Sequence, residues 1–273
     1  MSTYNENARP KMTSSRIQAM KAAGEKIACI TAYDYTMARL VDAAGIDLIL
    51  VGDSASNVML GNETTLPITL DEMITYAKGT VRGADHAMVI VDMPFGYYQG
   101  CPDRALDSAV RIMKETGAAG VKIEGGEEIR ESIARVLSAG IPVCGHLGLT
   151  PQSVNKFGGY GVRAKGEAEA EKLLNDALIL QELGCFAVVL EKIPAALAAK
   201  VTEALSIPTI GIGAGSVTDG QILVVQDMLG MNQGFKPKFM RYFGNVGEAI
   251  TGAVGNYVSE VKSVTFPSAD EQY

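Results

Sequence analysis

Short apolar runs recur along the chain and alternate with longer segments of helical spacing. The runs are nearly continuous rather than alternating, which is typical of parallel strands buried on both faces. They predict strands at 26–32, 47–53, 87–92, 120–124, 141–146, 186–191, 208–212 and, in a less regular run, 222–227. This unbroken strand–helix alternation predicts a parallel sheet with helices between its strands.

The segments between these runs have the pattern of amphipathic helices, with apolar residues three or four positions apart. The clearest cover 105–116, 127–137 and 167–183. Glycines that are typical of helix ends stand before the next strand at Gly45, Gly117, Gly140 and Gly184.

The length of the chain favours one domain. An α/β barrel typically takes ~250 residues, and this chain has 273. The first strand is followed by Ala-Tyr-Asp-Tyr, which lacks the glycines of a dinucleotide-binding turn. We therefore predict a single (β/α)8 TIM barrel over 26–262, with a polar leader at 1–25 and a tail at 263–273.

Charge and composition exclude several classes of partner. Lys and Arg number 24 against 31 Asp and Glu, and this net charge of −7 argues against nucleic acid or an anionic membrane. We find no apolar run of the ~20 residues that a membrane span needs, and no secretory signal at the N-terminus. The four scattered cysteines lack metal-ligand spacing, so we expect reduced thiols in a cytoplasmic protein.

Polar residues end five consecutive predicted strands. They are Asp53, Asp92, Glu124, His146 and Glu191. In a barrel of this type all the strands open onto one face, where active sites lie. A single acidic residue after a strand is as easily the N-cap of the next helix, but most of these are followed by Pro or Gly. We therefore expect the five to converge on one mouth.

This set of side chains favours a hard, oxygen-preferring cation, most simply Mg²⁺. The chain has two histidines, and His86 precedes the third strand at the opposite end, so a His-rich zinc site is excluded. No nucleophile-elbow sequence is present. A carboxylate base beside a metal-bound carbonyl, with the metal stabilising an enolate, is the chemistry that these residues predict.

Lys122 lies two residues before Glu124, so both side chains point to the same face of the strand. A buried cation there suits a substrate oxyanion or carboxylate. A Schiff-base lysine and a simple internal ion pair with Glu124 are the other two interpretations.

Three other segments stand out. The long connections 54–70 and 148–166 follow strands, which makes them candidate lids or subunit contacts over the mouth. The glycine-rich segment 211–216 follows the seventh strand, where barrels often bind phosphate, but its glycines are equally explained by a tight turn.

Several motifs together resemble the ketopantoate hydroxymethyltransferase family. They occur in order over about 26–245 and read VGDSASNV, GNETTLPIT, VDMPFGYY, VKIEGG, GHLGLTPQSV, LEKIP and PTIGIGAG. The resemblance implies transfer of a hydroxymethyl group from 5,10-methylenetetrahydrofolate to 3-methyl-2-oxobutanoate, with Mg²⁺, in a cytoplasmic homo-oligomer, a decamer in the family. A more distant similarity is to the phosphoenolpyruvate mutase and isocitrate lyase superfamily.

The resemblance also implies roles for individual residues. Asp53 and Asp92 match metal-binding aspartates that also contact substrate, and Glu124 matches the third acidic position of the metal site. Ser54 and Lys122 match positions that contact the 2-oxo acid.

The remaining matches concern proton transfer. Glu191 matches the general base, and His146 an accessory residue near the site. The loop at 55–63 departs from the usual family text, so its conformation over the metal is not implied.

Two other hypotheses make distinct predictions. A Mg²⁺-dependent C–C lyase or phosphonomutase would turn over a C4 acid or phosphoenolpyruvate without folate. A non-catalytic sensor or scaffold would bind a 2-oxo acid without exchanging its protons with solvent. The ordered motifs argue against the first and the spare carboxylate against the second.

Overall fold

Eight parallel strands close into a barrel in a computed structural model, which describes residues 9–232 and 237–273. The fold predicted from the apolar runs is confirmed. The strands are β1 (Ile27–Thr31), β2 (Leu48–Val51), β3 (Met88–Asp92), β4 (Gly120–Glu124), β5 (Val143–Gly148), β6 (Ala187–Glu191), β7 (Thr209–Ile212) and β8 (Gly220–Leu223). Each pairs with its sequence neighbours, and β8 returns to β1.

Helices follow the strands along the chain, as the alternation predicts. Those between β1 and β7 are α2 (Tyr35–Ala43), α3 (Ala55–Val58), α4 (Leu70–Gly83), α5 (Pro102–Thr116), α6 (Arg130–Ser138), α7 (Val154–Phe157), α8 (Glu167–Leu183) and α9 (Ala195–Ala204). Short 3₁₀ turns cover Glu127–Ile129 and Pro151–Ser153. Gly117 and Gly184 end α5 and α8 with positive φ angles of 76° and 100°, as predicted from their position.

The segment predicted as a polar leader contains a helix, α1 (Ser14–Ala23). Its Ile17 is fully buried in an apolar cluster with strand residues such as Ile27 and Met88. Ile17 is the one residue of this helix that is buried, and the helix has no clear amphipathic pattern that the sequence could reveal.

The prediction for the eighth strand is wrong in its bounds. The strand is β8 (Gly220–Leu223), and α10 (Val225–Met228) occupies the second half of the predicted 222–227 run. A Cβ on Gly220 would lie 2.5 Å from the carbonyl oxygen of Ile27, so the start of the strand needs glycine. Short apolar runs do not separate strand from helix by periodicity, which explains the shift.

One compact unit of the chain ends at Leu223 and a second begins at Val224. The second contains α10, α11 (Val246–Lys262) and a 3₁₀ turn at Ala269–Glu271. Within it, the Met228 carbonyl accepts a backbone hydrogen bond from Phe243. Among the residues described, no helix is long and apolar enough to cross a membrane.

Candidate active site

The polar residues that follow the apolar runs meet at the carboxyl-terminal mouth of the barrel. Asp92, Glu124 and Glu191 are the last residues of β3, β4 and β6. Asp53 comes two residues after the end of β2, and His146 lies within β5. The structure thus brings the five predicted residues to one end of the barrel.

Strand register aligns four polar side chains at the mouth in two neighbouring pairs. Asp92 is the register partner of Lys122 across β3 and β4, and Glu124 is the partner of His146 across β4 and β5. Side chains alternate along a strand, so Lys122 and Glu124 share a face. All four residues are at most 6% exposed, which makes this a buried polar layer.

Lys122 lies at the centre of the layer. Its Nζ is 3.0 Å from Asp92 Oδ1 and 3.7 Å from Glu124 Oε1. Burial by itself lowers the pKa of the amine, but the carboxylates of Asp92, Glu124 and Asp53 outweigh it and hold the pKa above its usual value. A protonated amine is not a nucleophile, so this setting favours a fixed cation over a Schiff-base lysine.

His146 connects this layer to Glu191. Its Nδ1 lies 3.1 Å from Lys122 Nζ and 3.2 Å from Glu124 Oε1. The shorter of these contacts is to the ammonium, which can only donate, so we assign the ring proton to Nε2, which lies 3.4 Å from Glu191 Oε2. Burial and then the charge of Lys122 lower the pKa of His146 to about 4, so the ring is neutral at pH 7.

The two aspartates are buried close to each other. Asp92 Oδ2 accepts a 2.9 Å hydrogen bond from the backbone N–H of Asp53. Burial raises the pKa of Asp92 to about 7, and the charge of Asp53 adds to the shift. Burial also raises the pKa of Asp53 to about 6, assisted by the charge of Glu124. The site therefore holds several buried carboxyl groups against one ammonium, and burial favours the protonated form of both aspartates unless a further cation binds there.

The predicted metal ligands are neighbours but do not form a closed cage. In the described parts of the chain, no three His, Cys, Asp or Glu side chains are arranged to hold a metal ion by themselves. Lys122 lies between Asp92 and Glu124, and its ammonium is the partner of the buried Asp92 Oδ1 at 3.0 Å. A cation here would need further ligands from outside the protein.

Ser54, predicted to contact substrate, is half-buried at the start of α3. Its Oγ is 2.8 Å from the hydroxyl of Tyr33, a fully buried residue that the sequence reasoning missed. Burial raises the pKa of Tyr33 well above its usual range, so this hydroxyl keeps its proton. The only sequence signal for Tyr33 is its place just after β1.

Two further buried residues touch the site and were missed, Gln152 and Tyr98. The Gln152 side chain donates to Asp53 Oδ2 at 2.9 Å, and the Tyr98 hydroxyl is 2.7 Å from Gln152 Oε1. Both residues lie inside motifs quoted for the family, GHLGLTPQSV and VDMPFGYY, which was the signal available.

A cavity of about 610 Å³ lies beside Glu124. Apolar side chains such as Leu147 and Leu173 line it together with charged ones such as Lys156 and Asp176. Its wall includes part of the 148–166 connection, one of the two segments predicted to lie over the mouth.

Two other polar or glycine-rich features have structural explanations. The backbone N–H of His86 donates to the Asp42 carboxylate and its carbonyl accepts from Met12, at the end of the barrel away from the mouth, as predicted. In 211–216, a Cβ on Gly215 would lie 2.6 Å from the Cβ of Ala195, and one on Gly211 would lie 2.6 Å from Thr218 Oγ1. Close packing accounts for these two glycines without a bound phosphate.

Solved structures similar to this one share its fold. Phosphonopyruvate hydrolase in complex with oxalate and Mg²⁺ aligns with a TM-score of 0.61 over 95% of this chain and 93% of that chain, at 14% identity. A 2,3-dimethylmalate lyase of the PEP mutase/isocitrate lyase superfamily aligns with a TM-score of 0.60 over 96% and 92%, at 18% identity. At these identities the likeness concerns the fold.

Sequence comparison identifies the family. A protein of Porphyromonas gingivalis is 62% identical over the full length of both chains, and one of Flavobacterium johnsoniae is 61% identical over the same extent. Both are named 3-methyl-2-oxobutanoate hydroxymethyltransferase. The family profile of ketopantoate hydroxymethyltransferase matches residues 11–269. This chain belongs to the ketopantoate hydroxymethyltransferase family.

Proposed function

We propose that this enzyme transfers a hydroxymethyl group from 5,10-methylenetetrahydrofolate to 3-methyl-2-oxobutanoate, giving 2-dehydropantoate for pantothenate biosynthesis. The observation that carries the proposal is the arrangement at the mouth. The buried ammonium of Lys122 lies beside one nitrogen of the neutral His146 ring, and the Glu191 carboxylate lies beside the other. This is the pairing of charges that proton removal beside a carbonyl requires.

The donor set at the mouth fits a divalent cation. Asp53, Asp92 and Glu124 supply buried carboxylate oxygens, the ligand type that Mg²⁺ prefers. Three carboxyl groups share the single ammonium of Lys122, which lies 3.0 Å from Asp92 Oδ1. We therefore assign Mg²⁺ binding to these three residues. When bound, the ion would act as a Lewis acid that polarises the keto group of the substrate.

Lys122 stabilises charge and Glu191 removes a proton in the proposed reaction. The ammonium of Lys122 stabilises the negative charge that develops on the keto oxygen, and Ser54, Asp53 and Asp92 complete the contacts to the 2-oxo acid. Glu191 accepts the proton from C3, which is acidic because it adjoins the carbonyl. His146 positions the Glu191 carboxylate at the edge of the layer, with its Nε2 3.4 Å from Glu191 Oε2.

The exchange of atoms follows from this step. The C3–H bond breaks, its proton goes to Glu191, and C3 forms a bond to the one-carbon unit of the folate. Water supplies the hydroxyl group, both C–N bonds of the one-carbon unit, to N5 and to N10, break, and the proton taken from C3 and one proton of water end on these two nitrogens. The products are therefore 2-dehydropantoate and tetrahydrofolate.

Deuterium exchange at C3 of 3-methyl-2-oxobutanoate tests substrate, metal and base together. We expect exchange with Mg²⁺ and without folate, and loss of exchange when Mg²⁺ is chelated. Addition of 5,10-methylenetetrahydrofolate should convert exchange into product formation. Absence of exchange under all conditions would contradict the proposal. Oxaloacetate and phosphoenolpyruvate serve as controls, because turnover of either without folate would indicate a lyase or mutase instead.

We further propose a cytoplasmic homo-oligomer. Cys29, Cys144 and Cys185 are buried and unpaired, which suits a reducing compartment. The helix α11 carries exposed apolar residues along 250–261, which supports a contact surface on that segment. Sedimentation of the purified enzyme tests the oligomer, because a monomer at micromolar concentration would contradict it.

A further inference from the structure

Gln152 is a buried residue at the mouth for which the proposed reaction has no step. It lies in the 3₁₀ turn Pro151–Ser153, which follows β5, and is 6% exposed. The buried side chain makes hydrogen bonds to four different residues. A buried amide with this many partners has a defined position and orientation.

The neighbours of the amide determine which end is nitrogen. The end assigned as Nε2 lies 2.9 Å from the backbone carbonyl oxygen of Met93 and 2.9 Å from Asp53 Oδ2. A carbonyl oxygen only accepts, so the group that faces it must be the NH₂. Both of its protons are thereby used, one on Met93 and one on the Asp53 carboxylate.

The other end of the amide is held equally firmly. Oε1 accepts from the Tyr98 hydroxyl at 2.7 Å and from Gln99 Nε2 at 3.0 Å. The Tyr98 hydroxyl in turn accepts from the backbone N–H of Glu124 at 3.2 Å. Both acceptor positions of the amide oxygen are therefore filled, and the amide cannot rotate without losing hydrogen bonds.

The backbone of Gln152 holds a second carboxylate. Its N–H donates to Glu124 Oε2 at 3.0 Å, while its side chain holds Asp53. These two carboxylates belong to different parts of the barrel, one after β2 and one at the end of β4. Gln152 therefore ties together two of the three residues assigned to the cation without belonging to that set.

We propose that Gln152 is a positioning residue that sets the affinity of the mouth for a divalent cation, by orienting Asp53 through its amide and Glu124 through its backbone N–H. The inference rests on the metal site of the proposed function. Residues that hold the ligands of a metal typically change its affinity by 10–100-fold when they are replaced. Replacing the amide alone should remove the hold on Asp53 and keep the backbone bond to Glu124.

Direct binding of Mn²⁺ to the full-length enzyme, measured by electron paramagnetic resonance of the unbound ion without substrate, tests this role. Gln152→Met keeps the length of the side chain and removes its hydrogen bonds, so we expect Mn²⁺ affinity to fall by at least tenfold. Wild-type affinity in a folded Gln152→Met enzyme would overturn the proposal.

Gln181→Met is the matched control. Gln181 lies on α8, and its Oε1 accepts from the backbone N–H of Ser206 at 2.6 Å, just before β7 and away from the mouth. The same substitution there should lower thermal stability and leave Mn²⁺ affinity unchanged. If Gln181→Met lowered Mn²⁺ affinity as much as Gln152→Met, the loss would be due to general destabilisation, and the proposal would be overturned.

Tyr98→Phe keeps the test decisive if Gln152→Met does not fold. It removes the hydroxyl that donates to the amide oxygen and also accepts from the backbone N–H of Glu124. Loss of the bond to the amide predicts about fivefold weaker Mn²⁺ binding. Unchanged affinity in this variant would contradict the proposal. Failure of the wild-type enzyme to bind Mn²⁺ would overturn both the metal site and the role of Gln152, whereas binding by the wild type and by Gln152→Met alike would overturn only the latter.

Discussion

The same strands form both ends of the barrel interior, but the side chains are apolar at the base and polar or charged at the mouth. At the base, side chains such as Ile27, Met88 and Ile210 form an apolar cluster with Ile17 of α1. At the mouth, the interior holds charged and polar groups as deeply buried as that cluster. Burial alone therefore does not distinguish the structural end of the barrel from the functional end. The polarity of the buried side chains distinguishes them.

The strand β4 shows the same contrast between its two faces. Its outward residues Val121 and Ile123 are fully buried, while Lys122 and Glu124 alternate with them and face the polar layer. All residues of β4 are therefore buried, but its two faces lie in different environments, one apolar and one polar. Buried apolar groups stabilise the fold, whereas buried charges cost free energy unless they are paired.

The largest expected effect comes from removal of the central cation. Lys122→Met leaves Asp92 and Glu124 buried without the ammonium at 3.0 and 3.7 Å. Breaking a buried pair in this way typically costs about 3–5 kcal/mol of unfolding free energy, which urea unfolding without Mg²⁺ would measure. C3 proton exchange should also be lost. The pair Lys122→Met with Asp92→Asn should recover part of the stability, and no recovery would show that the two residues are not coupled.

Glu191→Gln should separate catalysis from stability at the mouth. Its side chain is 16% exposed and lies 3.4 Å from His146 Nε2, so we expect little change in unfolding free energy. The rate of C3 exchange should fall by about 10²–10⁴-fold because the base is lost. Mn²⁺ affinity serves as the control and should stay at the wild-type value. Unchanged exchange would remove Glu191 from the role of base.

Ile17→Ala is the converse change at the base of the barrel. Because Ile17 is fully buried, its truncation should lower the free energy of unfolding by about 2–5 kcal/mol. The exchange rate per folded molecule should not change, since the apolar cluster makes no contact that the reaction uses. A slower exchange at full folding would show that the two ends of the interior are coupled.

The smallest effect is expected outside the barrel interior, at the N-terminus of α2. Asp34 caps this helix, and its Oδ1 accepts a 2.8 Å hydrogen bond from the backbone N–H of Met37. Asp34→Ala should lower the free energy of unfolding by about 1 kcal/mol and leave the exchange rate unaltered. A loss as large as that of Ile17→Ala would indicate that Asp34 does more than cap the helix.

Local patterns in the sequence predicted much of the fold. Seven strands are found within a few residues of their predicted positions, and α8 has the predicted bounds, Glu167–Leu183. These predictions succeeded because parallel strands and amphipathic helices are determined by neighbouring residues. The prediction of the eighth strand failed because its apolar run is short. The helix α1 was not predicted because only one of its residues, Ile17, is buried.

The sequence by itself determined which residues end the strands, and hence that Asp53, Asp92, Glu124, His146 and Glu191 share one mouth. Only the tertiary structure decided how they are held. The Gln152 amide reaches Asp53 across 99 positions of sequence, and the neutral state of the His146 ring follows from its burial beside Lys122. Strand ends follow from local periodicity, whereas hydrogen bonds and pKa shifts depend on distances that are set only when the barrel closes.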